Sequence, residues 1–338
     1  MPLASVLRGP AVESVHLGTV AVVSPGGRPV ASCGDAGRAT VLRSTAKPFQ
    51  ALPLVLGGGV EAFGLEEADL ALVCSSHAGT PAHAARAAAL LARAGLTAAD
   101  LLCGAHRPLD AAAAAELDRR GEAPSALHNN CSGKHAGMLL ACRTLGLPTR
   151  GYVERDHPLQ LRIAEEVAGA CALAAEDVAR AVDGCSAPTF VVPLDRLARA
   201  YAALAAPAAS GLDAARVRGL ERVAAAMAAR PDMLSGPGRF TTALVAATGG
   251  RILGKEGHEG VYGIAIRGPV AMGAALKIAD GGERARDTVV LDLLRQLGAL
   301  SALETSELAP FYRPEVRNHR DLVVGEIVAE LELAEAAP

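Results

Sequence analysis

The sequence predicts an α+β fold, with strands from both ends of the chain in one sheet and a helical middle region beside it. Three observations carry this prediction. Residues 15–33 and 241–278 alternate apolar and polar side chains as half-buried strands do. From about residue 80 to residue 230 the pattern changes to Ala- and Leu-rich runs with helical spacing. No phosphate loop of the G-x-G-x-x-G or G-x-x-x-x-G-K-[ST] type follows a strand, so a nucleotide-binding parallel sheet is not indicated. The chain is read as a single α+β domain, residues 1–338, with a mostly helical lobe at about 80–230.

Taken in order, residues 15–23 and 30–33 read as two strands joined by the turn Ser24-Pro25-Gly26-Gly27-Arg28. Residues 39–43 lead into Ser44-Thr45-Ala46-Lys47-Pro48-Phe49-Gln50, which opens a helix to about Leu56. Pro48 is tolerated in that first turn, where amide hydrogens have no helical partner. Gly57-Gly58-Gly59 ends the helix, and residues 70–74 form a short apolar strand that delivers Ser75-Ser76-His77. Thr80-Pro81 is an N-cap followed by proline at the first helical position, and residues 82–94 continue as helix. Further helices are expected at 110–120, 134–145, 158–172, 175–182, 193–205 and 213–229. Strand-like alternation returns at 241–247, 251–253, 262–267 and 270–278; residues 283–297 form an amphipathic helix, and 322–333 read as strand or helix.

Composition narrows the function. Hydrophobic residues make up 51% of the chain and charged residues 20%, enough for a sizeable core. A net charge of −3 provides no field to attract nucleic acid or anionic lipid. With no Trp and only five Phe and four Tyr, stacking platforms for bases or sugars are not expected. Residues 1–10 lack the pattern of a signal peptide, and no apolar run is long enough to span a membrane. Seven cysteines without a disulfide-like spacing fit a reducing cytoplasm. Cys33, Cys74, Cys103, Cys142 and Cys171 stand among apolar residues as core fillers, whereas Cys131 and Cys185 lie among Gly, Ser, Asp and Lys.

The chemistry gathers in His128-Asn129-Asn130-Cys131-Ser132-Gly133-Lys134-His135-Ala136-Gly137-Met138, which mixes proton-transfer groups with metal-ligating ones. Gly133 is expected to let this backbone turn tightly, ahead of a buried helix beginning near Met138. Of 33 basic residues only four are Lys: Lys47, Lys134, Lys255 and Lys277. Arg stays protonated, whereas a buried Lys can be tuned to act as a base, so each Lys is a candidate. Ser44 and Lys47, three residues apart, would share a helix face, and a desolvated Lys could take the serine proton. Ser76 next to His77 is a hydroxyl at a strand-to-loop switch; Lys255 sits in a Gly-rich loop and could face a site or solvent; Lys277 reads as a surface strand end. Cys131, Lys134 and Cys185 could bind a metal, although the usual four-ligand zinc pattern is absent.

Together, Arg43-Ser44-Thr45-Ala46-Lys47-Pro48, Cys74-Ser75-Ser76-His77, the central block, Asp183-Gly184-Cys185 and Lys255-Glu256-Gly257-His258-Glu259-Gly260-Val261 resemble the asparaginase II family, the Rhizobium-type or class 3 L-asparaginases. The motifs run in the family's order across about residues 10–335. The resemblance implies hydrolysis of the side-chain amide of L-asparagine to L-aspartate and ammonia, on a fold similar to serine β-lactamases and glutaminases. It implies two Ser-Lys pairs, Ser44 with Lys47 and Ser76 with Lys255, and a zinc site at Cys131, Lys134 and Cys185. His135, Asp183, Asn130 and His77 would support ligands or substrate, and a homodimer is the family's expected state. One departure is the absence, between Pro231 and Gly250, of a cysteine that the family carries near its site. A related serine amidohydrolase, acting on glutamine, another amide or a β-lactam, would keep the same pairs; a non-enzymatic zinc-binding regulator would need the thiols but not the serines.

Overall fold

The computed structural model describes residues 1–336. Strands β1 (Pro2–Arg8), β2 (Ala11–Val23), β3 (Pro29–Cys33) and β4 (Ala39–Val41) come first, and β5 (Ala179–Val182) and β6 (Pro188–Pro193) lie mid-chain. Then follow β7 (Ile252–Gly257), β8 (Val261–Ile266), β9 (Met272–Ile278), β10 (Glu315–Arg317), β11 (Val323–Ala329) and β12 (Ala334–Glu335). The chain divides into two compact units, one built from residues 1–45, 192–210 and 243–338, the other from 46–191 and 211–242.

The first unit carries a nine-stranded sheet, in the order β10-β11-β1-β2-β9-β8-β7, with β3 paired to both β2 and β12. Strands from the two ends of the chain thus meet in one sheet, as the α+β reading expects. The β2–β3 hairpin is antiparallel, with Val20 opposite Cys33, on the turn expected from Pro25-Gly26-Gly27. Strand β2 is long enough to serve three neighbours. Its first half pairs with β1, and its second half lies between β3 and β9. Val20, Ala21, Val22 and Val23 are buried there with Ala274, Ala275 and Leu276 of β9.

Helix Leu194–Ala205 covers one face of this sheet, and two glycines let it come close. A Cβ on Gly263 would run into the Tyr201 ring, and one on Gly273 into the Ala198 carbonyl oxygen and the Ala202 backbone. Tyr262, one residue from Gly263, faces the other way, as strand alternation requires. Its ring takes the Arg286 guanidinium, 5.7 Å from the centroid, so helix Glu283–Gln296 covers the opposite face.

The second unit is mostly helical. Its centre is Ser132–Thr144, in which every residue from Ser132 to Cys142 is buried. A helix buried on all sides needs no polar stripe, which is why this segment lacks amphipathic periodicity. Gly133 does not make the expected tight turn: it lies inside this helix. A Cβ there would come 2.9 Å from the Leu72 carbonyl carbon, and one on Gly137 would come 2.5 Å from Val73 Cγ1. Both glycines serve the close crossing of helix Glu67–Val73. That helix corrects the strand expected at 70–74, because a short buried apolar run has no periodicity to separate the two. Asp69 starts it by accepting the Glu66 N–H at 3.0 Å, and it is tied down by Arg86 at 2.6 Å and Arg93 at 2.8 Å.

Three further expectations are corrected. Residues 175–182 form a 3-10 turn followed by strand β5, which pairs antiparallel with β6; the Ala-rich composition had imitated a helix. Residues 241–247 belong to helix Phe240–Ala247, another short apolar run of ambiguous period. Lys255 lies in strand β7 rather than in a loop, where Gly254 and Gly257 leave room for Tyr262 and for the Leu42–Arg43 turn. The helix from 81, capped by Thr80, and those near 111, 158, 194, 214 and 283 stand as read. Residues 323–329 resolve to strand. No helix among the described residues is long and apolar enough to cross a membrane.

Candidate active site

In the second unit, Lys47 opens helix Lys47–Gln50 and is 1% exposed. Its ammonium donates to the Ser75 carbonyl, to Ser76 Oγ at 3.0 Å and to the Asn130 carbonyl at 3.5 Å. Three acceptors match the three hydrogens of an ammonium, so the buried cation is satisfied without a carboxylate. Ser76 follows the end of helix Glu67–Val73 and is buried, with its N–H bonded to the Leu234 carbonyl at 3.1 Å. The structure thus joins Lys47 to Ser76, 29 residues apart, an association that spacing along the chain does not reveal.

The loop before Ser132 is held by imidazoles that each use one nitrogen as an acceptor. His106 takes the Asn130 N–H on Nε2 at 2.9 Å while its Nδ1 bonds the Arg107 carbonyl. His77 takes the Gly79 N–H on Nδ1 at 3.1 Å, which leaves Nε2–H to donate to Ser132 Oγ at 2.9 Å. His77 also stacks on His83, with centroids 4.9 Å apart. Burial, aided by the charge of His83, holds the His77 pKa well below the ordinary imidazole value, and burial lowers that of His83. Asn129 bridges two segments, its amide donating to the Cys103 carbonyl at 2.9 Å and its Oδ1 accepting the Cys131 N–H at 2.8 Å.

Cys131, Lys134 and Cys185 lie close together. Cys131 precedes helix Ser132–Thr144, Lys134 lies in its first turn, and Cys185 sits in the β5–β6 turn. Asp183 helps close that turn, its N–H bonded to the Ala187 carbonyl at 2.9 Å and its Oδ1 accepting the Gly184 N–H at 2.8 Å. Lys134 Nζ lies 2.9 Å from Cys185 Sγ, and both cysteines and Lys134 are buried. A hydrogen bond with Cys185 holds the Cys131 pKa well below the ordinary thiol value, and the same bond pushes Cys185 up. Burial alone would lower the Lys134 pKa, but the two sulfurs reverse this and raise it. His135 is buried, with Nδ1 2.7 Å from the Tyr152 hydroxyl; burial lowers its pKa to about 4, so the ring is neutral. Its Nε2 makes no hydrogen bond of ordinary geometry, although the Cys185 sulfur is near enough to favour a proton on the ring.

Two buried thiols, an amine and an imidazole nitrogen without a hydrogen bond form a donor set that suits a zinc ion. Among the described residues no three His, Cys, Asp or Glu side chains gather as a metal group.

Ser44 and Lys255 belong to the first unit. Ser44 lies in the 3-10 turn Arg43–Ala46, directly after Arg43, whose φ of 49° is left-handed and unusual for a residue with a side chain. The turn is pinned by the Tyr201 hydroxyl, which donates to the Thr45 carbonyl at 2.8 Å. Lys255 and Gly257, two residues apart on β7, face the same side of the sheet. A Cβ on Gly257 would meet the Leu42 carbonyl oxygen at 3.2 Å and the Arg43 Cβ at 3.3 Å, which places this turn on the Lys255 face. Lys255 is fully buried, donates to the Glu256 carbonyl at 2.8 Å and lies 3.6 Å from its carboxylate. Of the four residues, Ser44 and Lys255 lie in the first unit, and Lys47 and Ser76 in the second. Sequence reasoning missed Tyr152, His106 and Glu256; a Tyr or His in a turn carries no local signal that separates it from a packing residue.

The model of one family, described as L-asparaginase II, matches residues 4–329. No curated protein matches significantly. Among solved structures, one of Mglu in its native form at 4.3 M NaCl aligns with a TM-score of 0.45 at 15% identity, over 84% of this chain and 61% of that one. Another of its native form gives 0.40 at 16% identity, over 84% and 64%. The chain thus spans less than two thirds of those proteins, and at such scores the likeness carries no argument about the site.

Proposed function

The chain belongs to the L-asparaginase II family, and we propose that it is an amidohydrolase that cleaves the side-chain amide of L-asparagine to L-aspartate and ammonia. The observation that carries this reading is the buried Lys47 ammonium, 3.0 Å from Ser76 Oγ. A lysine desolvated beside a hydroxyl can exchange a proton with it, which is what an amide-cleaving serine requires. In the proposed reaction a neutral lysine amine takes the serine proton as the oxygen attacks the carboxamide carbon. The tetrahedral oxyanion is stabilised by hydrogen-bond donors, the lysine returns its proton to the leaving nitrogen, and ammonia departs. Water then hydrolyses the acyl-serine to L-aspartate and the free hydroxyl.

Ser44 is the preferred nucleophile because Lys47 follows it by three residues, and the left-handed Arg43 before it marks a strained turn of the kind that concentrates at functional sites. The Lys47–Ser76 bond favours a second reading in which Ser76 attacks. Zinc is proposed at Cys131, Lys134 and Cys185, where it would tie helix Ser132–Thr144 to the β5–β6 turn. Lys134, now a cation, would have to lose its proton to bind it. The enzyme is proposed to act as a homodimer.

Ammonia release from L-asparagine and L-glutamine, measured for the wild type beside Ser44→Ala, Ser76→Ala and Lys47→Met, tests the reading. Wild-type release from asparagine is expected, with Lys47→Met reduced about 100- to 10,000-fold. Folded, zinc-replete wild type that releases no ammonia from either amide would overturn it.

A further inference from the structure

Residues 103–110 belong to no motif that points to catalysis, yet they run across both loops that meet Lys47. The Asp110 N–H reaches the Ala78 carbonyl at 2.9 Å, and a Cβ on Gly79 would lie 3.2 Å from Pro108 Cα. At the other loop His106 Nε2 takes the Asn130 N–H at 2.9 Å, and His106 Nδ1 lies 2.7 Å from the Arg107 carbonyl. A peptide N–H can only donate and a carbonyl can only accept, so the ring hydrogen sits on Nδ1 and Nε2 is bare. Both nitrogens of His106 are then satisfied, with no hydrogen left over. The Asn130 side-chain oxygen, 3.4 Å from Nε2, makes only a weaker contact.

Asn130 matters because of where its carbonyl points. The two lone pairs of that oxygen take the His77 N–H at 3.2 Å and the Lys47 ammonium at 3.5 Å. Of the three partners of Lys47, the Ser75 and Asn130 carbonyls can only accept, whereas the Ser76 hydroxyl can accept or donate. A neutral amine keeps two hydrogens. With both on the carbonyls, its free electron pair faces Ser76 Oγ, which is where a base must receive the proton. We infer that His106 is a positioning residue for Lys47: it holds Asn130 so that the Asn130 and Ser75 carbonyls aim the electron pair of the amine at Ser76. The inference rests on the proposed function in its second form, in which Ser76 gives up its proton. Loss of the tie would free the Asn130 backbone to turn and Lys47 to point elsewhere.

Two substitutions in the full chain separate the nitrogens of His106. His106→Gln places an amide oxygen near the position of Nε2, where it can still accept from Asn130. His106→Asn places its amide near Nδ1, where it serves Arg107 and leaves the Asn130 N–H unpaired. His106→Asn is expected to lower kcat for L-asparagine about 10- to 100-fold with KM little changed, because aim is lost rather than binding. His106→Gln should keep most of the wild-type turnover. Amide hydrogen exchange followed by NMR needs no substrate. The Asn130 N–H should exchange about 5- to 10-fold faster in His106→Asn, the worth of one ordinary hydrogen bond, and stay protected in His106→Gln. Wild-type kcat in His106→Asn, equal losses in the two variants, or unchanged Asn130 exchange in His106→Asn each overturn the inference. Should the wild type release no ammonia, the proposed function fails, and the exchange rates alone decide whether His106 holds Asn130.

Discussion

Replacing Gly133 by Ala should destabilise the second unit and slow the enzyme, although alanine is the better helix former. In a helix interior the exchange is worth up to about 1 kcal/mol in favour of Ala. Here the added carbon would run into the Leu72 carbonyl oxygen and lie 2.9 Å from its carbon, against about 3.5 Å for an ordinary carbon contact, so the crossing must open by more than roughly 0.6 Å. The nearest atom met is the Leu72 carbonyl oxygen, held in a helix with no rotamer to yield. Such overpacking costs about 1–3 kcal/mol, which exceeds the propensity gain. The displaced helix ends just before Ser75 and Ser76, so the 3.0 Å bond from Lys47 to Ser76 would be strained as well. Misplacement on this scale reduces turnover by about 10- to 100-fold. Gly169, in helix Pro158–Ala170, supplies the control, because a Cβ there meets nothing within 4 Å. Gly169→Ala should stabilise by about 0.5 kcal/mol. Calorimetry and ammonia release on the two variants give the comparison. If Gly133→Ala melts as high as Gly169→Ala and turns over like wild type, the close-crossing argument is wrong.

Two other outcomes follow from buried charge. His77 and His83 have pKa values lowered by burial, so between those values and the unfolded value near 6.5 the unfolded chain binds more protons. Stability is therefore full above about pH 6.5 and falls below it, by at most about 1.4 kcal/mol per pH unit for each ring. Urea midpoints from pH 7.5 down to pH 5 measure this, and His83→Gln should flatten the slope; a slope unchanged by that substitution would contradict it. Asp69→Asn should cost about 2–4 kcal/mol, since it leaves Arg86 and Arg93 without their buried carboxylate while both retain some access to water. Urea unfolding at neutral pH reads it, and a loss below about 1 kcal/mol would show that solvent replaces the pairs.

The sheet and most helices were legible because they rest on local signals. Alternation in β2 and β9, the Thr80-Pro81 start and the glycines after residue 24 each act within a few positions. Residues 70–74 and 241–247 were misread because five to seven apolar residues fill either a strand or a helix, and only the neighbouring packing chooses. Gly133 was read as a turn for a related reason. Its smallness answers Leu72, some sixty residues earlier, and no window around Gly133 contains that partner. The thiol and lysine candidates could be named from residue types and from family resemblance. The Lys47–Ser76 bond, the tie from His106 to Asn130 and the Tyr152 hydroxyl on His135 could not, because each joins segments distant in sequence.

The interleaving of the two units imposes an order on synthesis. Residues 46–242 contain every segment of the second unit, whereas the first unit needs residues from 243 onward. Strand β1 finds its outer neighbour only when Ala329 arrives opposite Ala4, and the buried half of β2 waits for β9. On the ribosome, the helical unit can fold while the edge of β2 that receives β9 is still unpaired. Long-range pairings of this kind form slowly and leave strand edges open to aggregation meanwhile. Chaperone demand during expression should therefore track the first strands of the chain, and Lys47 and Ser76 can be in place in nascent chains before Lys255 has been translated.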